Sequence, residues 1–366
     1  MNSSATLYRR VTQASGNRRK VELLLAGGGH VARRFIVLLE ECRDALAAAG
    51  VEPVIVGVTT RRHGSVFDKA GIDAVRIARG LAKGDNIGPA SSPSTLECIA
   101  QLRSQDVETR VLIETTTLDI RSGEPATSHV RAAIDAGAHV ITANKGPVAF
   151  AYDDLAAAAA ARGVRFLFEG AVMDGIPIFN LVRESMPLAT IAGFRGVVNS
   201  TTNHILTALE DGAEYAPALA EMQAQGIAEA DPSLDVDGWD AAAKAAALTN
   251  VLLDGRITPH DVDRTGIGPA TSAWARAAKA RHARVRLVVA ARRGERPSVK
   301  PTELPEDDVL ANLRGMGNAL VLDTDTLGRV VISQLDGGLT QTAYALLSDL
   351  IAIRKSMPES ATEPSR

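Results

Sequence analysis

Apolar positions in this chain fall into short, nearly unbroken runs that alternate with stretches of helical spacing. Runs over 21–26, 54–58, 111–114, 139–142 and 165–169 read as strands buried on both faces, which is how strands of a parallel sheet read. Between them the spacing predicts helices over 33–49, near 95–104, and over 128–136 and 152–161. Such alternation predicts an α/β fold, a Rossmann-type doubly wound parallel sheet. Beyond Gly170 the rhythm changes. Gly175, Pro177 and Pro187 punctuate the chain, a strand is expected over 191–198, and helices over 204–209 and 216–224. Further strands over 284–290, 319–324 and 328–334 predict a second α/β domain with a mixed sheet, and a helix over 342–353 is expected to pack back onto the first domain. The expected organisation is a tail over 1–20, a dinucleotide-binding domain over 21–170, a catalytic and oligomerisation domain over 171–335, a returning helix over 336–355 and a second tail over 356–366.

Composition narrows the partners. With 366 residues, 46% of them hydrophobic, the chain can bury one large or two moderate cores, and two domains are the preferred reading. A net charge of -3 with scattered arginines offers no basic field for nucleic acid, and no stretch approaches the length of a membrane span. Two cysteines, Cys42 and Cys98, make no disulfide framework and no zinc spacing, so a reducing cytoplasm is the expected location.

The first strand runs into Gly27-Gly28-Gly29-His30-Val31-Ala32, which then opens a helix. This fits the dinucleotide fingerprint Gly-x-Gly-x-x-Ala, in which backbone N–H groups approach a pyrophosphate at a helix N-terminus; a plain tight turn is the alternative. Gly27, Gly29, His30 and Val31 are therefore candidate cofactor contacts. After the second strand stand Thr59, Thr60, Arg61, Arg62 and His63, with no acid to hold a ribose hydroxyl. Arg61 and Arg62 are cations suited to a 2′-phosphate, so NADP is favoured over NAD, the alternative being two solvated arginines. Thr115 and Thr116 end one later strand and Lys145 follows another, on the same side of the sheet.

A second concentration of chemistry occupies 226–247. Glu229, Asp231, Asp235 and Asp237 lie in a segment broken by Pro232 and Gly238, which is expected to hold these carboxylates on a loop, and Asp237 is placed to cap the helix that follows. Asp240 and Lys244 are four residues apart and share a helical face. Read blandly they are a solvated ion pair. The alanines and leucine around Lys244 favour a half-buried lysine whose pKa is tuned for proton transfer. A calcium loop fails on spacing, since Gly238 follows Asp237 directly and no glutamate closes the loop.

Together with Thr142-Ala143-Asn144-Lys145-Gly146-Pro147, Glu169 to Pro177, Val198-Asn199-Ser200-Thr201-Thr202-Asn203 and Gly338-Leu339-Thr340-Gln341-Thr342-Ala343, these residues resemble the homoserine dehydrogenase family over most of the chain. The resemblance implies NAD(P)-dependent interconversion of aspartate 4-semialdehyde and homoserine by a homodimer or homotetramer. It implies that Lys244 is the proton donor and acceptor, that Glu229, Asp235 and Asp240 hold substrate, and that Lys145 contacts cofactor and substrate, with Gly338 also at the cofactor. It implies too a Na+ or K+ site on the main-chain carbonyls of Glu169, Val172, Asp174 and Ile176, for which a plain interdomain turn is the alternative. Residues 199–203 either cap a helix through Ser200 or Thr201 or contact substrate, capping being preferred. The chain departs from the family pattern at His30 and Asp336. No kinase segment precedes the pattern and no regulatory segment follows it, so feedback through an appended domain is not expected. A same-fold dehydrogenase for another small amino or hydroxy acid, and a non-catalytic nucleotide-binding homologue, are the competing readings; a substrate panel separates the first, and cofactor binding without turnover marks the second.

Overall fold

The computed structural model describes residues 18–89, 91–102, 109–224 and 231–357. The first part comprises β1 (Arg19–Ala26), α1 (His30–Glu41), α2 (Arg43–Ala48), β2 (Val51–Thr59), β3 (Ser65–Phe67), α3 (Ala74–Lys83), α4 (Thr95–Gln101), β4 (Thr109–Glu114), α5 (Ala126–Asp135), β5 (His139–Thr142), α6 (Gly146–Arg162) and β6 (Phe166–Leu167). The second comprises α7 (Ile178–Ser185), β7 (Ile191–Val197), α8 (Ser200–Glu210), α9 (Tyr215–Ala224), α10 (Ser233–Val236), α11 (Trp239–Leu252), β8 (Asp263–Arg264), α12 (Pro269–Ala280), β9 (Ala283–Arg292), β10 (Ser298–Pro305), β11 (Asn318–Thr324) and β12 (Arg329–Gln334); α13 (Leu339–Lys355) closes the order.

The first sheet runs β3-β2-β1-β4-β5-β6. Four pairings place β2, β1, β4, β5 and β6 parallel, and β3 is added antiparallel at the edge. Leu23, Leu24 and Leu25 of β1 are fully buried because helices cover both faces. The expected parallel sheet is thus present, with one short antiparallel edge strand too brief to read from pattern. β1 begins at Arg19, inside the span expected to be tail. The helix expected over 33–49 starts earlier, on the glycine loop itself, and breaks at Cys42.

The second sheet runs β12-β11-β7-β9-β10-β8, antiparallel except for β10 with β8. Strand β10 and helices α3, α7 and α12 were not anticipated from the sequence pattern. α13 crosses back from this half, and its Ala343, Leu346, Leu347, Leu350 and Ile353 join the apolar cluster built on Leu23, Leu25, Phe35 and Leu39.

Two joints lock the halves. α6 has non-helical backbone at Ala151, and it begins at Gly146 with Pro147 in its first turn, six positions ahead of the expected start at 152. The buried Asn250 of α11 donates to the carbonyls of Val148, at 3.1 Å, and Ile257, at 2.9 Å, and accepts from Ile257 N. The second joint holds two buried carboxyls. Glu169 accepts from the N–H groups of Phe179 (2.9 Å) and Asn180 (2.6 Å), capping α7, and Asp349 of α13 accepts from Glu169 N at 2.9 Å.

Burial pushes Asp349 up to about 6, and burial with the neighbouring Asp349 charge pushes Glu169 up to about 8. Each carboxyl binds its proton more tightly folded than unfolded. The stability this confers is complete below the unfolded range near ~4 and is lost as pH rises through both folded values. Thermal melts are therefore expected to show falling stability from mildly acid to mildly alkaline pH, and Asp349→Asn should flatten that slope; an unchanged slope would contradict the assignment.

Candidate active site

The C-terminal ends of β1, β4 and β5 and the start of α13 converge on one edge of the first sheet, the crevice where such sheets bind ligands. Gly27 has φ +103°, and a β-carbon there would lie 2.7 Å from the carbonyl oxygen of Thr115. At Gly28 it would lie 2.7 Å from Leu81 Cδ1, whereas at Gly29 it would meet nothing within 4 Å. The loop is thus packed on two sides and open at the N-terminus of α1, a cradle of the shape a pyrophosphate fills. Thr115 Oγ1 donates to Ala26 O at 3.0 Å, and Asn144 Nδ2 donates to Thr116 O at 2.9 Å, which sets both threonines at the crevice floor. His30 and Val31 open α1, with His30 exposed, and Gly338 caps α13, which is tied to α1 by Arg34 Nε donating to Thr340 Oγ1 at 3.0 Å. Asp336 is exposed beside that loop. Arg61 and Arg62 stand exposed on the turn after β2, which Thr60 closes by donating to Gly64 O.

Facing this crevice is α11, whose Ala241, Ala242, Ala243, Ala245, Ala246 and Ala247 are all buried. These small side chains let the helix pack closely against α6, and Lys244 is the polar exception. Asp240 stands between two lysines: Lys145 Nζ approaches Oδ1 at 3.1 Å and Lys244 Nζ approaches Oδ2 at 3.0 Å. Lys145 comes from the first half of the chain, so one carboxylate joins both halves. Lys244 also donates to Val198 O at 2.6 Å. Asn199, 5% exposed, donates through Nδ2 to Asp235 at 2.7 Å and to Asp240 at 3.0 Å, while its Oδ1 accepts from Thr202 N and caps α8.

The electrostatics follow from that packing. Burial opposes ionisation of Asp240, but Lys145, Lys244 and the Asn199 amide outweigh it and hold the carboxyl well below its usual range. Burial and the neighbouring Asp240 charge push Asp235 up, against the Asn199 amide and Lys244. Burial draws Lys244 towards neutrality, yet Asp240, Asp174 and Asp235 prevail and raise it above the ordinary lysine range. In this state Lys244 is an ammonium, an acid poised for a developing alkoxide.

Three expectations are corrected. Asp237 does not cap α11: Gly238, at φ 79°, occupies that position, and Asp237 ends α10, whose first N–H is taken by Asp231. The turn needs a left-handed residue between two helices, and glycine supplies it. Asp235 lies within α10 rather than in a loop. The cap of α8 is Asn199, where Ser200 or Thr201 had been expected. Glu229 lies outside the described residues. The Glu169 side chain caps α7, and in the turn that follows Ile176 O accepts from Ile178 N. Among the described residues no group of three or more His, Cys, Asp and Glu is arranged for a metal ion, and no helix is long and apolar enough to cross a membrane.

A dinucleotide cradle set against a lysine and carboxylate cluster defines a nicotinamide-dependent dehydrogenase. The profile of the homoserine dehydrogenase NAD-binding domain matches residues 27–169, and that of homoserine dehydrogenase matches residues 177–351. The chain is 37% identical to the NAD(+)-dependent homoserine dehydrogenase of Pseudomonas canavaninivorans over 92% of its own length and 96% of that protein's. A homoserine dehydrogenase structure from Thiobacillus denitrificans superposes with TM-score 0.79 at 28% identity, over 94% of this chain and 77% of that one. A hyperthermophilic archaeal homoserine dehydrogenase in complex with NADPH superposes with TM-score 0.76 at 28% identity, over 93% and 99%. The chain belongs to the homoserine dehydrogenase family, the NAD(P)-dependent oxidoreductases that interconvert L-aspartate 4-semialdehyde and L-homoserine on the way to threonine, methionine and isoleucine.

Asn199→Asp keeps the acceptor that caps α8 but exchanges the shared donor for a third carboxylate. A fall of about 10- to 100-fold in kcat/KM, with unchanged circular dichroism, is expected from losing charge-assisted bonds; full activity would show that the clamp is dispensable.

Proposed function

We propose that Lys244 is the acid and base of this dehydrogenase, with Asp240 and Lys145 completing the catalytic set. The observation that carries this reading is the Asp240 carboxylate shared by Lys145 at 3.1 Å and Lys244 at 3.0 Å. The nicotinamide, when bound, supplies or accepts the hydride. As charge develops on the aldehyde oxygen, the Lys244 ammonium stabilises it and then gives up a proton; in reverse, the lysine must first lose that proton to take one from the hydroxyl. Because the surrounding carboxylates raise Lys244, homoserine oxidation should gain as pH becomes alkaline and aldehyde reduction should decline there. Asp240 and Asp235 hold the substrate's polar ends together with Glu229. Lys145 reaches from the cofactor side.

Residues 21–170 hold the cofactor in this reading, 171–335 the substrate and subunit contacts, and 336–355 return to the first unit. Gly27, Gly29, His30, Val31, Thr115, Thr116 and Gly338 form the cofactor's bed. NADP is the preferred form, supported by Arg61 and Arg62 lying exposed on a turn without an acid, although the Pseudomonas relative is NAD(+)-dependent. The carbonyls of Glu169, Val172, Asp174 and Ile176 form an all-oxygen turn suited to Na+ or K+. A homodimer or homotetramer is supported by the exposed Val331 on edge strand β12 and by Leu335 just beyond it. Two free cysteines fit a cytoplasmic location.

Lys244→Ala should lower kcat/KM by about 100- to 10,000-fold while calorimetry still registers cofactor binding. Retained turnover would remove Lys244 from the mechanism. Arg61→Ala with Arg62→Ala should weaken NADPH by about 10- to 100-fold in KM and leave NADH unmoved. Equal rates with both cofactors in the parent enzyme would overturn the NADP reading.

A further inference from the structure

Glu114, the last residue of β4, is fully buried. Among the described residues one basic side chain is within ion-pair reach of it, His129 of α5, whose Nδ1 lies 3.6 Å from Oε1, too far for a hydrogen bond. A carboxyl group enclosed in this way is costly unless donors meet it. Three do. Thr116 N donates to Oε1 at 3.2 Å, and the Thr116 hydroxyl donates to the same oxygen. Thr142 Oγ1, at the end of β5, shares its one proton between Glu114 Oε2, at 3.3 Å, and Asn144 O, at 3.2 Å. The two oxygens of one acid thus tie together the ends of two neighbouring strands.

From Thr142 and Thr116 the constraint passes to Asn144. Thr142 Oγ1 accepts from Asn144 N at 2.9 Å, Asn144 Nδ2 donates to Thr116 O at 2.9 Å, and Asn144 Oδ1 accepts from Gly146 N at 2.8 Å. Asn144 and Gly146 are the chain neighbours of Lys145, which occupies the N-cap position of α6 and brings its ammonium to Asp240. The backbone on either side of that lysine is therefore held by a network whose base is Glu114. We propose that Glu114 is a positioning residue that aims Lys145 at Asp240. This rests on Lys145 and Lys244 flanking Asp240 as the catalytic set. Lys244 is faced by Asp240 on its own helix, by Asp235 on α10 and by Asp174 in the turn before α7, while Lys145 arrives at Asp240 from α6. Were Lys145 to swing away, Asp240 would be left to Lys244 alone, which would then keep its proton to higher pH. Homoserine oxidation, which needs that lysine neutral, would be displaced in the alkaline direction.

The test sets Glu114→Ala, Glu114→Gln and Thr142→Val, the last of which removes the hydroxyl between Glu114 and Asn144, beside the parent enzyme, Lys145→Ala and the double variant Glu114→Ala with Lys145→Ala. Melting temperature, kcat and KM for L-homoserine, KM for NADP+ and the pH profile of homoserine oxidation are measured for each. Glu114→Ala is expected to lower kcat/KM by about 10- to 100-fold. It should also displace the rising limb of the pH profile by about half a unit to one unit in the alkaline direction, and Thr142→Val should do so to a smaller extent. Glu114→Gln keeps an acceptor for Thr116 and lets the Thr142 hydroxyl turn to Asn144 O, so it should recover most of the rate. In the double variant the two losses should not add, because without Lys145 there is nothing left for Glu114 to aim. Should Glu114→Ala fail to fold, Thr142→Val combined with Lys145→Ala carries the same comparison. Additive losses, a rate that falls equally at every pH with the limb unmoved, a change confined to the NADP+ KM, or parent values throughout would each overturn the proposal. A parent rate in Lys145→Ala would instead remove the underlying reading, and this one with it.

Discussion

Two ammonium groups cannot share a half-buried pocket unless one carboxylate answers both, and Asp240 is that carboxylate. Lys145 reaches it from the nucleotide-binding half and Lys244 from one turn further along α11. Removing one member of such a set strands the charge of another, at a cost of about 3–5 kcal/mol in buried pairs. Asn199 carries the constraint further, since it splits its amide between Asp235 and Asp240 while its oxygen closes the end of α8. The charge balance of the site and the ends of its helices are therefore one problem with one solution.

Small residues make that solution reachable. The alanines flanking Lys244 let α11 lie close enough to α6 for Asn250 to engage the carbonyl of Val148. Gly27 and Gly28 bring the cofactor loop against Thr115 and Leu81, and the open position at Gly29 leaves the helix end free for an anion. Close packing on one side of each feature creates the accessible face on the other.

Local order was legible where physics is local. The run over 21–26 and the glycines after it carry their own period and turn chemistry, and Asp240 with Lys244 needs only the pitch of a helix. What could not be read was set by tertiary geometry. Nothing in the sequence places Lys145 against Asp240, because that contact depends on how the two sheets meet. Asn199 was passed over as a cap in favour of Ser200 or Thr201, and its two acid partners lie on other helices. Asp237 looked like a cap because the intervening turn, which demands a left-handed glycine, is invisible to propensity.

The return of α13 has a consequence for how the protein is made. Leu346, Leu350 and Ile353 complete the apolar layer over β1 and α1, so the earliest synthesised sheet lacks part of its cover until some of the last residues described have left the ribosome. During translation the nucleotide-binding half must wait, with Leu23, Leu25 and Phe35 incompletely covered, while the second sheet can close in the meantime. The cofactor loop sits on the strand that waits, so a nascent chain acquires its ability to hold a dinucleotide late, as a property of the whole molecule.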